Sequence, residues 1–369
     1  MPGSEVAQIK RRARVLIIGP SLDILGGQAV QAKRLLDRLR ANPLLDVDFL
    51  PVNPRLPGPL RLLQSVKYLR TVVTLIAYCL SLLVRVGRYD VLHIFSASYW
   101  SFVLAPTPAV LAGKLFRKKT ILNYRSGEAE DHLRRWKRTA LPAIGCFDEI
   151  IVPSRYLVDV FGSFGFSASA IPNFVDLSCF SYRARPSLRP VFLANRNFET
   201  LYNVACVIRA FSLIQKQYPE AKLILAGDGY LRAELEQQAR GQRNIEFRGR
   251  IDPSNMHALY AEADIYLNAP SIDNMPTSIL EAFACGLPVV TTNAGGIPYI
   301  VENGVNGTLV AIDDHQALAA AALRYLADPE YAFTLATNAY RECEQRYTWA
   351  AVHRQWADLY RRLAGLPAC

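Results

Sequence analysis

No Cys-x-x-Cys pair occurs in this chain. Its seven cysteines, Cys79, Cys146, Cys179, Cys206, Cys285, Cys343 and Cys369, are scattered and odd in number. That argues against a disulfide framework or a zinc site and points to a reducing compartment. No signal-peptide core follows the basic Lys10-Arg11-Arg12, because the apolar run Val15–Ile18 stops at Gly19-Pro20; it reads as a first strand. No Gly-x-Gly-x-x-Gly follows that strand either. The sequence is Gly19-Pro20-Ser21-Leu22-Asp23-Ile24-Leu25-Gly26-Gly27, which argues against a dinucleotide oxidoreductase. The uncharged run Thr71–Val84 covers 14 residues. At about 1.5 Å per residue it reaches roughly 21 Å, short of the roughly 30 Å of a bilayer's hydrocarbon core. Two readings of Leu62–Val86 therefore stay open: a core helix ahead of the strand at Val91, or a partly exposed helix that touches a membrane.

What is present is uneven. A length of 369 residues suits two domains, and 51% hydrophobic residues is enough for two cores. The net charge of +10 conceals an asymmetry: residues 1–189 carry +14 and residues 190–369 carry −4. A basic half fits nucleic acid, an anionic membrane surface or an anionic acceptor. Zinc-finger spacing, an RNP-like aromatic motif and a basic heptad region are all missing, so nucleic acid is not expected.

Short apolar runs alternate with helical patterns throughout, the signature of βαβ units and parallel sheets. The first half predicts strands at Arg14–Ile18, Val47–Leu50, Val91–Phe95, Thr120–Tyr124, Glu149–Val152 and Ala168–Ile171. The second predicts them at Val191–Ala194, Lys222–Ala226, Ile245–Arg248, Ile265–Asn268, Pro288–Thr291 and Gly307–Val310. The fold class is α/β, with two Rossmann-like domains. Ser178–Pro190 has linker composition, so the domains are placed at residues 1–185 and 186–346. A final helix in 347–369, with an aromatic stripe at Trp349, Trp356 and Tyr360, is expected to pack back across them.

The segment Asn268–Gly296 carries most of the chemistry. A strand ends in a loop of small and kinked residues, and a helix opens around Thr277-Ser278. Free N–H groups at that helix start receive phosphate or sugar hydroxyls. Glu281, one turn in, has the two acceptor oxygens that a ribose diol needs. Gly295-Gly296 would let backbone approach a ligand closely.

Asp273-x7-Glu281, then Glu281-Ala282-Phe283-Ala284-Cys285-Gly286-Leu287-Pro288-Val289 and Thr292-Asn293-Ala294-Gly295-Gly296-Ile297-Pro298, resemble glycosyltransferase family 4, retaining enzymes of the GT-B fold. Weaker matches recur in order over about residues 14–363, among them Gly26-Gly27, Asp90-Val91-Leu92-His93, Val152-Pro153-Ser154, Ile171-Pro172-Asn173, Gly227-Asp228-Gly229 and Phe247-Arg248-Gly249. The resemblance implies two domains facing each other across a cleft, with the donor held by the C-terminal domain. It makes Arg196 the cation on the donor diphosphate and Asp273 the acid near the donor sugar. Asn274, Met275, Pro276, Thr277, Ser278 and Glu281 complete the donor site, and Gly26-Gly27 lend backbone donors to the diphosphate or room for the acceptor. Three positions depart from the family: Tyr202-Asn203 where a second lysine usually stands, Asp273 where glutamate is usual, and Arg125 where a histidine is usual. Arg125 then becomes a second positive charge or an acceptor contact, and Glu128 lies on the acceptor side.

The implied activity is metal-independent, retaining sugar transfer of hexosyltransferase type, from a UDP- or GDP-linked donor to a glycan or lipid-linked acceptor. The nucleotide-sugar is a co-substrate and no cofactor or metal is expected. Asp46-Val47-Asp48 lacks the surroundings of a metal-binding Asp-x-Asp, and Glu128–His132 reads as an acidic helix start. The expected location is cytoplasmic, peripheral at the inner face of the membrane. A non-catalytic nucleotide- or glycan-binding module derived from such an enzyme is the alternative.

Overall fold

The computed structural model describes residues 11–367, apart from 24–26, 57 and 67–68. The chain forms two compact units. Unit 1 holds the residues up to Pro153, Leu157–Ile171 and the residues from His353 onward; unit 2 holds Ser154–Tyr156 and Pro172–Val352.

Unit 1 is built on six parallel strands in the order β2-β1-β3-β4-β5-β6. They are β1 (Ala13–Gly19), β2 (Leu45–Pro51), β3 (Val91–Ser96), β4 (Lys119–Tyr124), β5 (Glu149–Val152) and β6 (Ser169–Ala170). Its helices are α1 (Gly27–Arg40), α2 (Leu69–Arg85), α3 (Trp100–Leu104), α4 (Pro106–Leu115), α5 (Ala129–Arg135), α6 (Lys137–Ile144) and α7 (Arg155–Ser163). Val15–Ile18 of β1 is buried at every position, which is why it reads as a continuous apolar run and not as an alternation.

Unit 2 repeats the plan with β12-β11-β10-β7-β8-β9. These are β7 (Val191–Ala194), β8 (Lys222–Ala226), β9 (Ile245–Gly249), β10 (Ile265–Asn268), β11 (Val289–Thr292) and β12 (Thr308–Val310). The helices are α8 (Val204–Gln215), α9 (Arg232–Gln238), α10 (Met256–Glu262), α11 (Thr277–Ala284), α12 (His315–Ala327) and α13 (Pro329–Arg346), and α14 (Trp349–Leu363) follows. Phe192 and Leu223 belong to one core and the adjacent Leu193 and Ile224 to a second, so neighbouring residues of each strand point to opposite faces. Each expected strand is present, with ends shifted by a residue or two.

Caps set the helix ends. Asp314 accepts from Ala317 N at 2.8 Å to start α12, and Asp328 accepts from Tyr331 N at 3.0 Å to start α13. α11 stops at Gly286, whose φ of +69° and the Leu287 N to Ala282 O bond at 3.0 Å make a Schellman turn.

Two expectations change. Ser178–Pro190 is not a free linker but lies within unit 2, and the passage between units falls at Ile171/Pro172, ahead of 185/186. Phe180 is buried, and the buried Arg185 guanidinium donates to Tyr260 O at 2.8 Å and Cys285 O at 2.5 Å. A segment without periodicity is thus fastened by polar bonds that composition does not reveal. Leu62–Val86 is not simply a core helix: within α2 only Tyr78 and Leu82 are buried.

Candidate active site

The sheet of unit 2 reverses between β7 and β10: β8 and β9 extend it on one side, and β11 and β12 on the other. At such a switch point the loops leaving adjacent carboxyl ends part and open a crevice for a ligand. The loop after β7 begins Asn195-Arg196; the loop after β10 runs into α11.

Arg196 joins these two loops. Its Nη2 donates to Asp273 Oδ2 at 2.5 Å and its Nη1 to Ser278 Oγ at 3.1 Å. The guanidinium carbon lies 4.1 Å from the centre of the Tyr202 ring. Burial works against its charge, but Asp273 and the neighbouring tyrosines prevail, so its pKa is raised. The buried Nε has no hydrogen-bond partner, and neither do the buried Oδ1 atoms of Asn195 and Asn268. Buried polar atoms left unpaired cost about 1–3 kcal/mol each. These atoms lie at the carboxyl ends of β7 and β10.

The backbone here is held by close approach. At Gly227 an added Cβ would stand 2.0 Å from Arg196 O, and at Gly229 it would stand 2.3 Å from Phe198 O. At Gly295 and Gly296 it would stand 2.2 Å from Asp273 O and 2.1 Å from Asn274 O. This second glycine pair admits the Asp273-Asn274 backbone, and Gly296 N donates to Asp273 O at 2.9 Å. Asn274 and Met275 are likewise buried and bonded within unit 2. Asn274 Oδ1 accepts from Ser154 Oγ, and Met275 O accepts from Asn173 Nδ2 at 2.8 Å.

α11 opens after Pro276 with no side-chain cap, leaving first-turn N–H groups of Thr277 and Ser278 for an anion. Glu281, on the same helix, is buried and accepts from Tyr260 Oη at 3.0 Å. Tyr260 Oη in turn accepts from Asn195 Nδ2 at 2.7 Å. Burial, then the charge of Glu281, raises the Tyr260 pKa far above normal, so the hydroxyl remains a donor. Tyr260 escaped the sequence reading, since a tyrosine at helical spacing on α10 looks like core.

In unit 1, Arg125 follows β4. Its backbone N donates to Ser96 O at 3.2 Å, and its guanidinium carbon lies 5.4 Å from the Phe95 ring centre. Burial brings its pKa down to about 10. Glu128 precedes α5, and burial, then repulsion from Asp131, raises its carboxyl pKa. Gly27 opens α1 with open space around it, whereas Gly26 lies outside the described residues. Tyr99, between β3 and α3, holds a φ of +57° and donates to Asp131 Oδ2 at 2.5 Å. Among the described residues, no group of three His, Cys, Asp or Glu is arranged to hold a metal. Asp48 accepts from Tyr89 Oη at 2.5 Å, and His132 Nδ1 lies 2.9 Å from Tyr124 Oη.

Residues 189–328, the part that contains this crevice, match the family model described as glycosyl transferases group 1. The phosphatidyl-myo-inositol mannosyltransferase of Mycolicibacterium smegmatis is 25% identical over 293 residues, 76% of this chain and 72% of that protein. The crystal structure of Anabaena HepE in complex with UDP and glucose superposes with a TM-score of 0.74 at 19% identity, over 94% of this chain and 99% of that one. Sucrose-phosphate synthase from Thermosynechococcus elongatus gives a TM-score of 0.74 at 20% identity, over 96% and 100%. The fold is the two-unit α/β fold of GT-B glycosyltransferases, and the matches together support a glycosyltransferase.

Proposed function

We propose that this chain is a retaining, metal-independent glycosyltransferase that takes a sugar from a UDP- or GDP-linked donor held by unit 2. The observation that carries the proposal is the crevice at β7 and β10, where Arg196, the start of α11 and Glu281 present a cation, N–H donors and a carboxylate in that order. The start of α11 and Arg196 suit a diphosphate, and Glu281 suits a ribose diol. The UDP bound by Anabaena HepE supports this donor class.

In a front-face retaining transfer, the bond from the anomeric carbon to the diphosphate oxygen breaks and the acceptor oxygen bonds to the same face. The acceptor's proton passes to the leaving diphosphate, so no protein base is required. Arg196 stabilises the charge that grows on the leaving group, as a metal does elsewhere. The acceptor is a glycan or a lipid-linked molecule handled by unit 1, where Arg125 and Glu128 provide one charge of each sign. The mannosyltransferase relative, named for phosphatidyl-myo-inositol, supports a lipid-linked acceptor. The absence of disulfides among the described cysteines suits the cytoplasm.

Calorimetry with UDP-, GDP- and ADP-sugars, followed by hydrolysis and transfer assays with and without EDTA, tests this reading. Binding of one nucleotide class and EDTA-resistant turnover, with the anomeric configuration retained by NMR, are expected. Failure of every nucleotide to bind would overturn the donor site. Tyr202 in place of a second phosphate cation favours one further reading, a nucleotide-binding module without transfer, which would bind the donor and never turn it over.

A further inference from the structure

Helix α2 carries two apolar stripes. The inner one, Leu75, Tyr78 and Leu82, packs with Leu16, Ile18, Leu92 and Ile94, and Tyr78 Oη donates to Ala105 O at 2.9 Å just before α4 begins. The outer one is Leu69, Val72, Ile76, Leu80 and Leu83, spaced by three and four residues and 39–58% exposed. At about 100° per residue the stripes stand about 130° apart, where a surface helix normally turns polar side chains to water. Here the stretch Thr71–Val84 has no charged residue at all. On the neighbouring α4, Leu111 and Leu115 lie one turn apart and are 57% and 69% exposed.

Charge identifies the occupant. Residues 54–127 contain eleven Lys and Arg and a single acid, Asp90, whose Oδ1 accepts from Arg14 Nη2 at 2.8 Å. Arg70 and Arg88 lie near the two ends of the outer stripe along the chain, and Arg117 follows α4. An exposed apolar stripe carried by a stretch of chain this rich in cations matches a surface that offers acyl chains beneath anionic headgroups. Long arginine stems lie along the apolar layer while their guanidinium groups reach the headgroups.

We propose that unit 1 docks on an anionic lipid bilayer through the outer stripe of α2, with the helix lying in the plane of the interface. By length and composition Leu69–Arg88 is apolar enough to cross a membrane. Crossing would pull Tyr78 and Leu82 out of the core of unit 1, whereas lying flat leaves both stripes satisfied. This inference does not depend on the sugar-transfer reading, because docking needs no nucleotide.

Co-sedimentation of the full chain with vesicles of phosphatidylcholine alone, or of phosphatidylcholine mixed with phosphatidylglycerol, is the test. The chain should pellet with the mixed vesicles and less so at high salt, which screens the headgroups. The paired substitution Ile76→Glu and Leu80→Glu should reduce binding roughly tenfold or more, because two charges enter the apolar layer. Ile76→Phe with Leu80→Phe should retain it. Circular dichroism and nucleotide binding, neither of which uses these side chains, check that each variant is folded. No pelleting with either vesicle, or equal pelleting of the glutamate pair, would overturn the proposal. So would a dimer that the glutamate pair splits while vesicles bind neither form, since the face would then belong to a second copy.

Discussion

Asp273 Oδ2 lies 2.5 Å from Arg196 Nη2, so the acid expected beside the donor sugar is bonded to the cation expected on the diphosphate. The other carboxylate oxygen accepts from Asn274 N at 2.8 Å. A nucleoside diphosphate at Arg196 would share the guanidinium with Asp273. Asp273→Asn removes the competing charge and should tighten UDP binding by about 1–2 kcal/mol while lowering turnover, since Arg196 loses the partner that aims it. Titration calorimetry beside steady-state rates separates the two effects. Weaker UDP binding in the variant would mean that Asp273 helps the ligand directly.

Tyr202 occupies the position where the family's second lysine is expected, and its ring lies against Arg196. A ring contact of this kind is worth about 0.5–2 kcal/mol. Tyr202→Leu should therefore lower kcat about threefold to thirtyfold and leave UDP affinity within about twofold, because what it removes is the aim of Arg196. A fall confined to affinity would assign the ring to the nucleotide.

Glu281 is the ribose candidate, and Tyr260 donates to it. Glu281→Gln should weaken UDP binding by about 1.5–3 kcal/mol, the worth of a charge-assisted hydrogen bond. Tyr260→Phe removes the acceptor that Asn195 Nδ2 meets at 2.7 Å, leaving it the Met256 sulfur at 3.4 Å, and should cost both stability and UDP affinity. Parental affinity in Glu281→Gln would move the donor elsewhere.

Gly296 has no room for a methyl group, since an added Cβ would stand 2.1 Å from Asn274 O. The obstacle is backbone, which cannot swing aside as a side chain does. Gly296→Ala should cost about 1–3 kcal/mol of stability and displace Asp273 with its loop, abolishing measurable donor binding. Chemical denaturation and calorimetry test both, and a stable variant with normal UDP affinity would contradict the loop's role.

His93 lies fully buried on β3, with Nδ1 2.6 Å from Tyr360 Oη and Nε2 2.8 Å from Asn123 Nδ2. Burial, followed by the charge of Arg125, holds its pKa down to about 3, and burial takes His132 down to about 4. An unfolded histidine titrates near about 6.5, so below that pH the unfolded chain binds the additional protons. Stability is then lost as pH falls from about 6.5 toward the folded values. His93→Gln should flatten part of that decline in urea unfolding measured at a series of pH values; an unchanged slope would place the acid sensitivity elsewhere.

The strands were legible because parallel strands buried on both faces are mostly apolar runs, as at Val15–Ile18, whatever surrounds them. The start of α11 and Glu281 were legible for a related reason: a loop, a helix start and a carboxylate one turn later are local features of the chain. Gly295-Gly296 reads from the sequence as a place of close approach. A glycine reports that something comes close; only the fold shows that the Asp273-Asn274 backbone is what comes.

Local order along the chain thus determined the alternation of strand and helix, the two α/β halves and the position of the donor loop. The tertiary structure alone decided which residues meet across distance. It brought Asp273 to Arg196 over 77 positions, fastened Arg185 to carbonyls 75 and 100 residues away, and left one apolar stripe of α2 partly exposed. Hydrophobic periodicity states that a face is apolar but not what will cover it, and a polar side chain carries no mark of its distant partner. Both are settled only when the packing of the sheets fixes which groups are taken out of water together.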